Sequence, residues 1–334
     1  MVTGASRGIG RAVADRLAAK GAHVALLARS HHEVSEAAQE LTRGGVRAIG
    51  LRADVTRREE VDAAFEEVRN RLGPPTLLVN NAGLFSAVGP LWEVDPQAWW
   101  RDVEVSLRGT FLCSRASLRS MIPGGRGRIL NMTSLAGTRP SPHATAYACA
   151  KAGVFRLTEG LAGEAASHGV HVFSIGPGFV RTAMTQGVLE TGWLPEMQAV
   201  PPDAWVGPER VADLVVLIAT GRADALSGRF PVRARRHRGP DPTGGGDPSG
   251  GPVHGPAAQV ARRHWPPISV RGPAGRRARW PGHADQHDGA TRRFAAIRPP
   301  PRRAPHCPRC FAGNEGVHDG LVTWEPGAAS ERGR

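Results

Sequence analysis

The chain opens Met1-Val2-Thr3-Gly4-Ala5-Ser6-Arg7-Gly8-Ile9-Gly10. It continues through a helical pattern, Arg11 to Lys20, which Gly21 closes before the apolar run His23-Val24-Ala25-Leu26-Leu27-Ala28. Glycines at 4, 8 and 10 let a backbone turn tightly and let a phosphate approach the amino end of the following helix. Residues 23–28 have the length and continuous apolarity of a buried parallel strand. Strand, glycine turn, helix and strand in that order open an α/β sheet. The strand before the turn has at most two residues, Met1 and Val2, although in a doubly wound sheet that strand is central. Either the true start lies upstream or the sheet lacks most of its middle.

The alternation continues along the chain. Val46 to Ala53 reads as a third strand and is followed by Asp54-Val55-Thr56. Thr56-Arg57-Arg58-Glu59 has the form of a capping box opening a helix to about Leu72. Thr76 to Val79 is a fourth strand, ending in Asn80-Asn81-Ala82-Gly83. Pro96 to Met121 reads as one long helix, Arg128 to Met132 as a fifth strand and Val170 to Ile175 as a sixth. Ala183 to Trp205 reads as a polar-apolar loop, Pro208 to about Thr220 as a helix, and Leu226 to Phe230 as the start of a last strand. Strands alternating with helices predict a doubly wound parallel sheet with helices on both faces.

Chemistry concentrates between Ser134 and Lys151. Tyr147 is the only tyrosine, and Lys151 is one of two lysines. Four residues apart on a helix, the two share a face. An ammonium beside a phenol favours the phenolate and lowers its pKa, which suits proton transfer to or from an alcohol or carbonyl oxygen. Ser134 follows the fifth strand, at the carboxyl edge where such sheets bind ligands, and its hydroxyl can bond the same oxygen. The bland reading of a lone Tyr-x-x-x-Lys is a solvated helix face.

Arg29 ends the second strand where an acid would hold a ribose 2′-hydroxyl. With Arg7 it suits a 2′-phosphate, or the two are surface arginines in an arginine-rich chain. Asp54 either bonds an adenine amino group or solvates its turn.

The chain has 334 residues and a net charge of +13. Residues 231–334 hold 18 Arg, no Lys and 8 acidic residues, so only +3 belongs to residues 1–230. The front is a near-neutral domain and the basicity belongs to the tail. Four cysteines (Cys113, Cys149, Cys307, Cys310) make no disulfide framework and fit a reducing cytoplasm. No apolar run approaches the roughly 18 residues that span a bilayer, and no leader is expected before the first motif.

From Pro231 onward, 16 Pro and 16 Gly with no sustained period predict disorder. A nucleic-acid arm is disfavoured by few aromatics and no lysine. Zinc binding by Cys307, Cys310 and His318 lacks a paired second half. A shifted reading frame in a GC-rich gene fits the abrupt change best, and resequencing around codon 230 tests it.

Residues 1–230 resemble the short-chain dehydrogenase/reductase family. The motifs T-G-A-S-R-G-I-G (3–10), D-V (54–55), N-N-A-G (80–83), Ser134, Y-A-C-A-K (147–151) and P-G-F-V-R-T (177–182) match in order and spacing. The resemblance implies a Rossmann-like single domain and a nicotinamide cofactor. It implies that Tyr147 is the proton donor or acceptor, that Ser134 orients the substrate oxygen, and that Lys151 holds the nicotinamide ribose and tunes Tyr147. Gly4, Gly8, Ile9 and Gly10, with Ser6 in the same turn, would cradle the pyrophosphate, and Asp54 and Val55 would face adenine. Asn81, Ala82 and Gly83 would line the cofactor groove. Pro177, Gly178, Val180 and Thr182 would cover the nicotinamide, and Arg7 and Arg29 match an NADP-preferring pattern. Ser106 stands where the family often has a relay asparagine.

The expectation is therefore an NADP(H)-dependent, cytoplasmic oxidoreductase interconverting a ketone or aldehyde and an alcohol. No metal is expected. The partners expected are a small-molecule substrate and a second copy of the chain in a homo-oligomer, with neither membrane nor nucleic acid. Its substrate is open, a 3-oxoacyl thioester included. The rival is a non-catalytic or poorly folding product of a truncated or frameshifted gene.

Overall fold

The computed structural model describes residues 1–229 and 232–233. Seven strands form one parallel sheet: β1 (Val2–Thr3), β2 (Val24–Ala28), β3 (Ala48–Arg52), β4 (Leu77–Asn80), β5 (Gly127–Met132), β6 (Val170–Gly176) and β7 (Val232–Arg233). Their order is β3-β2-β1-β4-β5-β6-β7, with the reversal of winding beside β1. Ligands bind such sheets outside the strand carboxyl ends at that point.

The strands alternate their side chains between two cores, as a two-residue period requires. Val24, Leu26, Leu130, Phe173 and Ile175 face one side. There they meet α1 (Gly8–Ala18), α2 (His31–Arg43) and α9 (Pro208–Ala219). Ala25, Leu27, Leu78, Ile129 and Val172 face the other. That side is covered by α3 (Arg58–Leu72), α5 (Gly109–Met121) and the second half of α6 (Thr145–Ala165). Both faces are buried, which is why these strands read as continuous apolar runs.

The two-residue β1 nevertheless closes the middle of the sheet. Val2 pairs with Leu26 on one side and Val79 on the other. The Val79 N–H donates to the Met1 carbonyl at 2.9 Å, and the Ala5 N–H to that of Leu27 at 3.2 Å.

Four expectations need correction. The helix after Pro96 is not uniform: α4 (Pro96–Val103) passes through a π-helical turn, Glu104–Arg108, into α5. The segment 183–205 holds α7 (Ala183–Glu190), the short α8 (Pro195–Gln198) and a 3₁₀ turn, Pro202–Ala204, because Thr182 and Thr185 cap α7 reciprocally. Asp224–Leu226 is a 3₁₀ turn, and the last strand begins only at Val232. Finally, Thr56 caps nothing. The residue before α3 is Arg57, and Thr56 spends its N–H and hydroxyl on Asp54 Oδ1 at 2.9 and 2.7 Å.

The expected disordered tail, with its zinc and nucleic-acid alternatives, lies outside the described residues apart from β7. Among the described residues no helix is long and apolar enough to cross a membrane.

Candidate active site

The glycine turn between β1 and α1 is held against the end of β4. Thr3 Oγ1 accepts from the Asn81 and Ala82 N–H groups, each at 3.0 Å. The Asn81 side-chain amide donates to the Thr3 and Gly4 carbonyls at 3.1 Å. At Gly10 an added Cβ would lie 2.3 Å from the Gly4 carbonyl oxygen, so α1 can enter this close to the turn only with glycine there. Gly4 and Gly8 have φ of +61° and +59°, conformations that side chains rarely adopt. Arg7 precedes α1 without a side-chain cap, and no acid stands in the helix's first turn. The amino end of α1 therefore keeps its N–H groups and positive dipole end for an anion, and this cradle fits a dinucleotide pyrophosphate. Ser6 and Ile9 lie in the same turn, and Ile9 also packs on the core behind it.

At the end of β6 the chain turns through Pro177 and Gly178 (φ +78°) toward Val180, which is buried and bridges to Val206. Thr182 reaches the glycine turn: a Cβ on Gly8 would meet its Cγ2 at 3.5 Å. Asp54 and Val55 follow β3, and Val55 is buried against Gly109. Burial works against ionising Asp54, but the Thr56 bonds and the Arg29 and Arg101 charges outweigh it and hold the carboxyl below its usual range. Arg7 and Arg29 are exposed at the turns after β1 and β2.

The sheet also delivers the chemistry-bearing residues to one place. Ser134 follows β5 and lies beside the Tyr147 phenol, whose charged form its side chain favours. Lys151, 5 % exposed, donates from Nζ to the Met132 carbonyl at 2.7 Å and lies 5.4 Å from the Tyr147 ring centre. Gly83 sits between Ser106 Oγ and Lys151 Nζ, 3.4 and 3.7 Å from where its Cβ would be. Ser106 is buried in the π-turn and accepts from the Leu84 N–H at 3.4 Å. Ser134, Tyr147, Lys151 and Ser106 are thus brought together, beside Asn81, Ala82 and Gly83.

The expected lowering of the phenol pKa is not found. Burial pushes Tyr147 up to about 12; the neighbouring Ser134 side chain works against this and the Asp102 charge adds to it. Burial also pushes Lys151 down to about 8, so the would-be activating cation is itself weakened.

Two residues here escaped sequence reasoning. The Phe85 ring lies flat on Tyr147, with ring centres 4.0 Å apart and planes 5° apart. Asp102, wholly buried in α4, accepts from the Ser86 N–H, the Ser86 hydroxyl and the Ala87 N–H at 2.8, 2.6 and 2.9 Å. Its signal was available: an acid in the sequence between Ala98 and Val105, at positions that share a helix face.

Residues 1–192 match the family model for short chain dehydrogenases. The chain is 38% identical over 233 residues to galactitol 2-dehydrogenase of Rhizobium johnstonii, covering 68% of this chain and 90% of that protein. It is 34% identical over 228 residues to a 3-oxoacyl-[acyl-carrier-protein] reductase of Escherichia coli, covering 68% and 92%. A crystal structure of NAD⁺-bound xylitol dehydrogenase aligns with TM-score 0.64 and 27% identity over 68% of this chain and 94% of that one. The glycine cradle, the Ser134–Tyr147–Lys151 cluster and these matches agree, and the chain belongs to the short-chain dehydrogenases, NAD(P)-dependent oxidoreductases that interconvert alcohols and carbonyl compounds.

Proposed function

We propose that this chain is an NADP(H)-dependent carbonyl reductase with Tyr147 as its general acid. The observation that carries the reading is the gathering of Ser134, Tyr147 and Lys151 at the carboxyl edge of the sheet, with Lys151 Nζ 5.4 Å from the Tyr147 ring centre. When bound, the dinucleotide supplies hydride to the carbonyl carbon in reduction and accepts it in oxidation. Ser134 bonds the substrate oxygen and fixes its position. Tyr147, protonated near neutral pH because burial raises its pKa, gives its proton to that oxygen as the alcohol forms. Lys151 holds the ribose and restores the proton, with Ser106 bonding a relay water beside it. Gly4, Ser6, Gly8, Ile9 and Gly10 hold the pyrophosphate. Asp54 and Val55 hold adenine, Asn81 to Gly83 line the groove, and Pro177, Gly178, Val180 and Thr182 cover the nicotinamide.

Exposed Arg7 and Arg29 support a 2′-phosphate and hence NADP(H) over NAD(H). The reductase domain is residues 1–230. Unpaired Cys113 and Cys149 favour the cytoplasm. A groove of about 690 Å³ beside α5 and α6, lined by Phe111, Leu118, Ile122 and Leu157, supports pairing with a second copy. A 3-oxoacyl thioester is a second substrate reading, favoured by the matched acyl-carrier-protein reductases.

The test is Tyr147→Phe in the full chain. Turnover falls by about 10²–10⁴-fold, the usual worth of a positioned general acid, while NADPH still raises the melting temperature more than NADH does. Near-normal turnover in the variant overturns the assignment, and an equal or larger shift with NADH overturns the cofactor preference.

A further inference from the structure

Phe85 covers one face of the tyrosine to which the proposed reaction assigns proton transfer, and the chain spends a buried charge to keep it there. A carboxylate with no exposed surface is costly unless hydrogen-bonded. Asp102 takes all three of its bonds from Ser86 and Ala87, the two residues that follow Phe85. Charge-assisted bonds of this kind are the strong ones. The loop after Gly83 is thereby fixed at the point where its aromatic ring meets Tyr147.

The surroundings of Phe85 are apolar and separate from the two sheet cores. Phe85 and Val88 pack with Ala144, Val188, Leu194 and Met197, which brings the segment before α6 together with α7 and α8. At its border, His143 and Trp193 lie with ring centres 5.3 Å apart, and the Gly89 N–H donates to the His143 carbonyl at 2.9 Å. His143 has φ +61°, the one non-glycine residue with positive φ among the described residues, and its Nδ1 is buried without a hydrogen-bond partner. Strain of this kind persists only where the surroundings enforce it.

A substrate with several hydroxyls would find few partners here. Ser134 and Tyr147 serve the reacting oxygen, and beyond them His143 and Trp193 stand at the border of the apolar cluster around Phe85. Each additional hydroxyl buried against such a wall without a partner keeps its full desolvation penalty. A ring-bearing apolar ketone loses nothing to such a wall and gains aromatic contact. We infer that Phe85, anchored through Ser86 by Asp102, is the specificity-determining residue of this site, and that it selects apolar ring-bearing ketones over polyols. The inference rests on the reductase reading for the identity of the reacting oxygen.

The test uses the full chain with its preferred dinucleotide. The kcat/KM for 1-tetralone reduction is compared with that for xylitol oxidation, and calorimetry gives 1-tetralone binding to the cofactor-loaded protein. Wild type favours tetralone. Phe85→Ala raises the tetralone KM and Kd by about tenfold or more, the scale on which apolar pockets discriminate, and leaves kcat within about threefold. The ratio of kcat/KM for tetralone to that for xylitol falls by about tenfold or more, and Phe85→Tyr restores tetralone binding. Asp102→Asn keeps the side-chain size, loses acceptor capacity, and raises the tetralone KM in the same direction. Better turnover of xylitol by wild type, or tetralone binding indifferent to Phe85→Ala, overturns the inference while leaving the reductase reading intact. An active Tyr147→Phe enzyme whose tetralone binding still depends on Phe85 sinks the reading and spares the inference. If no carbonyl compound turns over, calorimetry decides alone, and absent tetralone binding overturns the inference.

Discussion

The side-chain amide of Asn80 donates to Asn131 Oδ1 at 2.8 Å, between residues in register on the neighbouring parallel strands β4 and β5. Both are buried. Asn80 also donates to Ser114 Oγ on α5 at 3.0 Å, and Asn131 to Thr158 Oγ1 on α6 at 2.9 Å. The line of amides and hydroxyls therefore ties the two helices to the strands that lead to Asn81 and Ser134. Asn131→Ala leaves donors and acceptors in this line unsatisfied, at about 1–3 kcal/mol. Urea denaturation should show that loss, with turnover reduced as well. A midpoint equal to wild type would mean that water takes over the lost bonds.

Two glycine substitutions should have opposite signs. Gly10→Ala places a methyl group on the Gly4 carbonyl, and cofactor no longer raises the melting temperature. Gly163, in α6, is exposed with nothing within 4 Å of an added Cβ. Gly163→Ala should gain about 0.5–1 kcal/mol from helix propensity alone and leave cofactor binding as it was.

Lys151 makes stability depend on pH in a defined window. Its pKa falls from 10.5 to about 8, so between those values the unfolded chain holds a proton that the folded chain has released. Stability contributed by this group rises with pH across that window and is flat below it. Denaturation of wild type and Lys151→Met at a series of pH values isolates the contribution. The difference between the two proteins should change across the window in wild type's favour as pH rises.

The two described thiols should separate by reactivity. Cys113 is buried, and burial pushes its pKa up to about 12, whereas Cys149 is exposed. Brief iodoacetamide treatment of the native protein, followed by peptide mapping, should find Cys149 alkylated and Cys113 intact until denaturant is added. Equal labelling would mean that the α5 side of the core opens readily.

Much of the fold was legible because its signals are local. Apolar runs marked β2, β5 and β6 to within a residue or two, and short motifs marked the strand ends that carry Gly4, Asn81 and Ser134. What escaped depends on partners distant in sequence. The pattern Thr56 to Glu59 matches a capping box, but α3 starts one residue late; Glu60 then bonds the Asp54 N–H at 2.8 Å, and Thr56 turns to Asp54. Phe85 lies 62 positions before the tyrosine it covers, so no spacing rule relates them. The raised pKa of Tyr147 reflects burial, which a Tyr-x-x-x-Lys spacing does not encode.

The π-turn at Glu104–Arg108 begins two residues after Asp102, which sets the loop over Tyr147, and contains Ser106, which stands beside Lys151. An α-helix advances about 100° per residue, and a π-turn admits one extra residue without breaking the helix. The extra residue widens the turn, and α4 and α5 continue in line on either side of it. Asp102 and Ser106 both accept from backbone N–H groups of residues 84–87, so the helix that carries the widened turn holds that loop at two points.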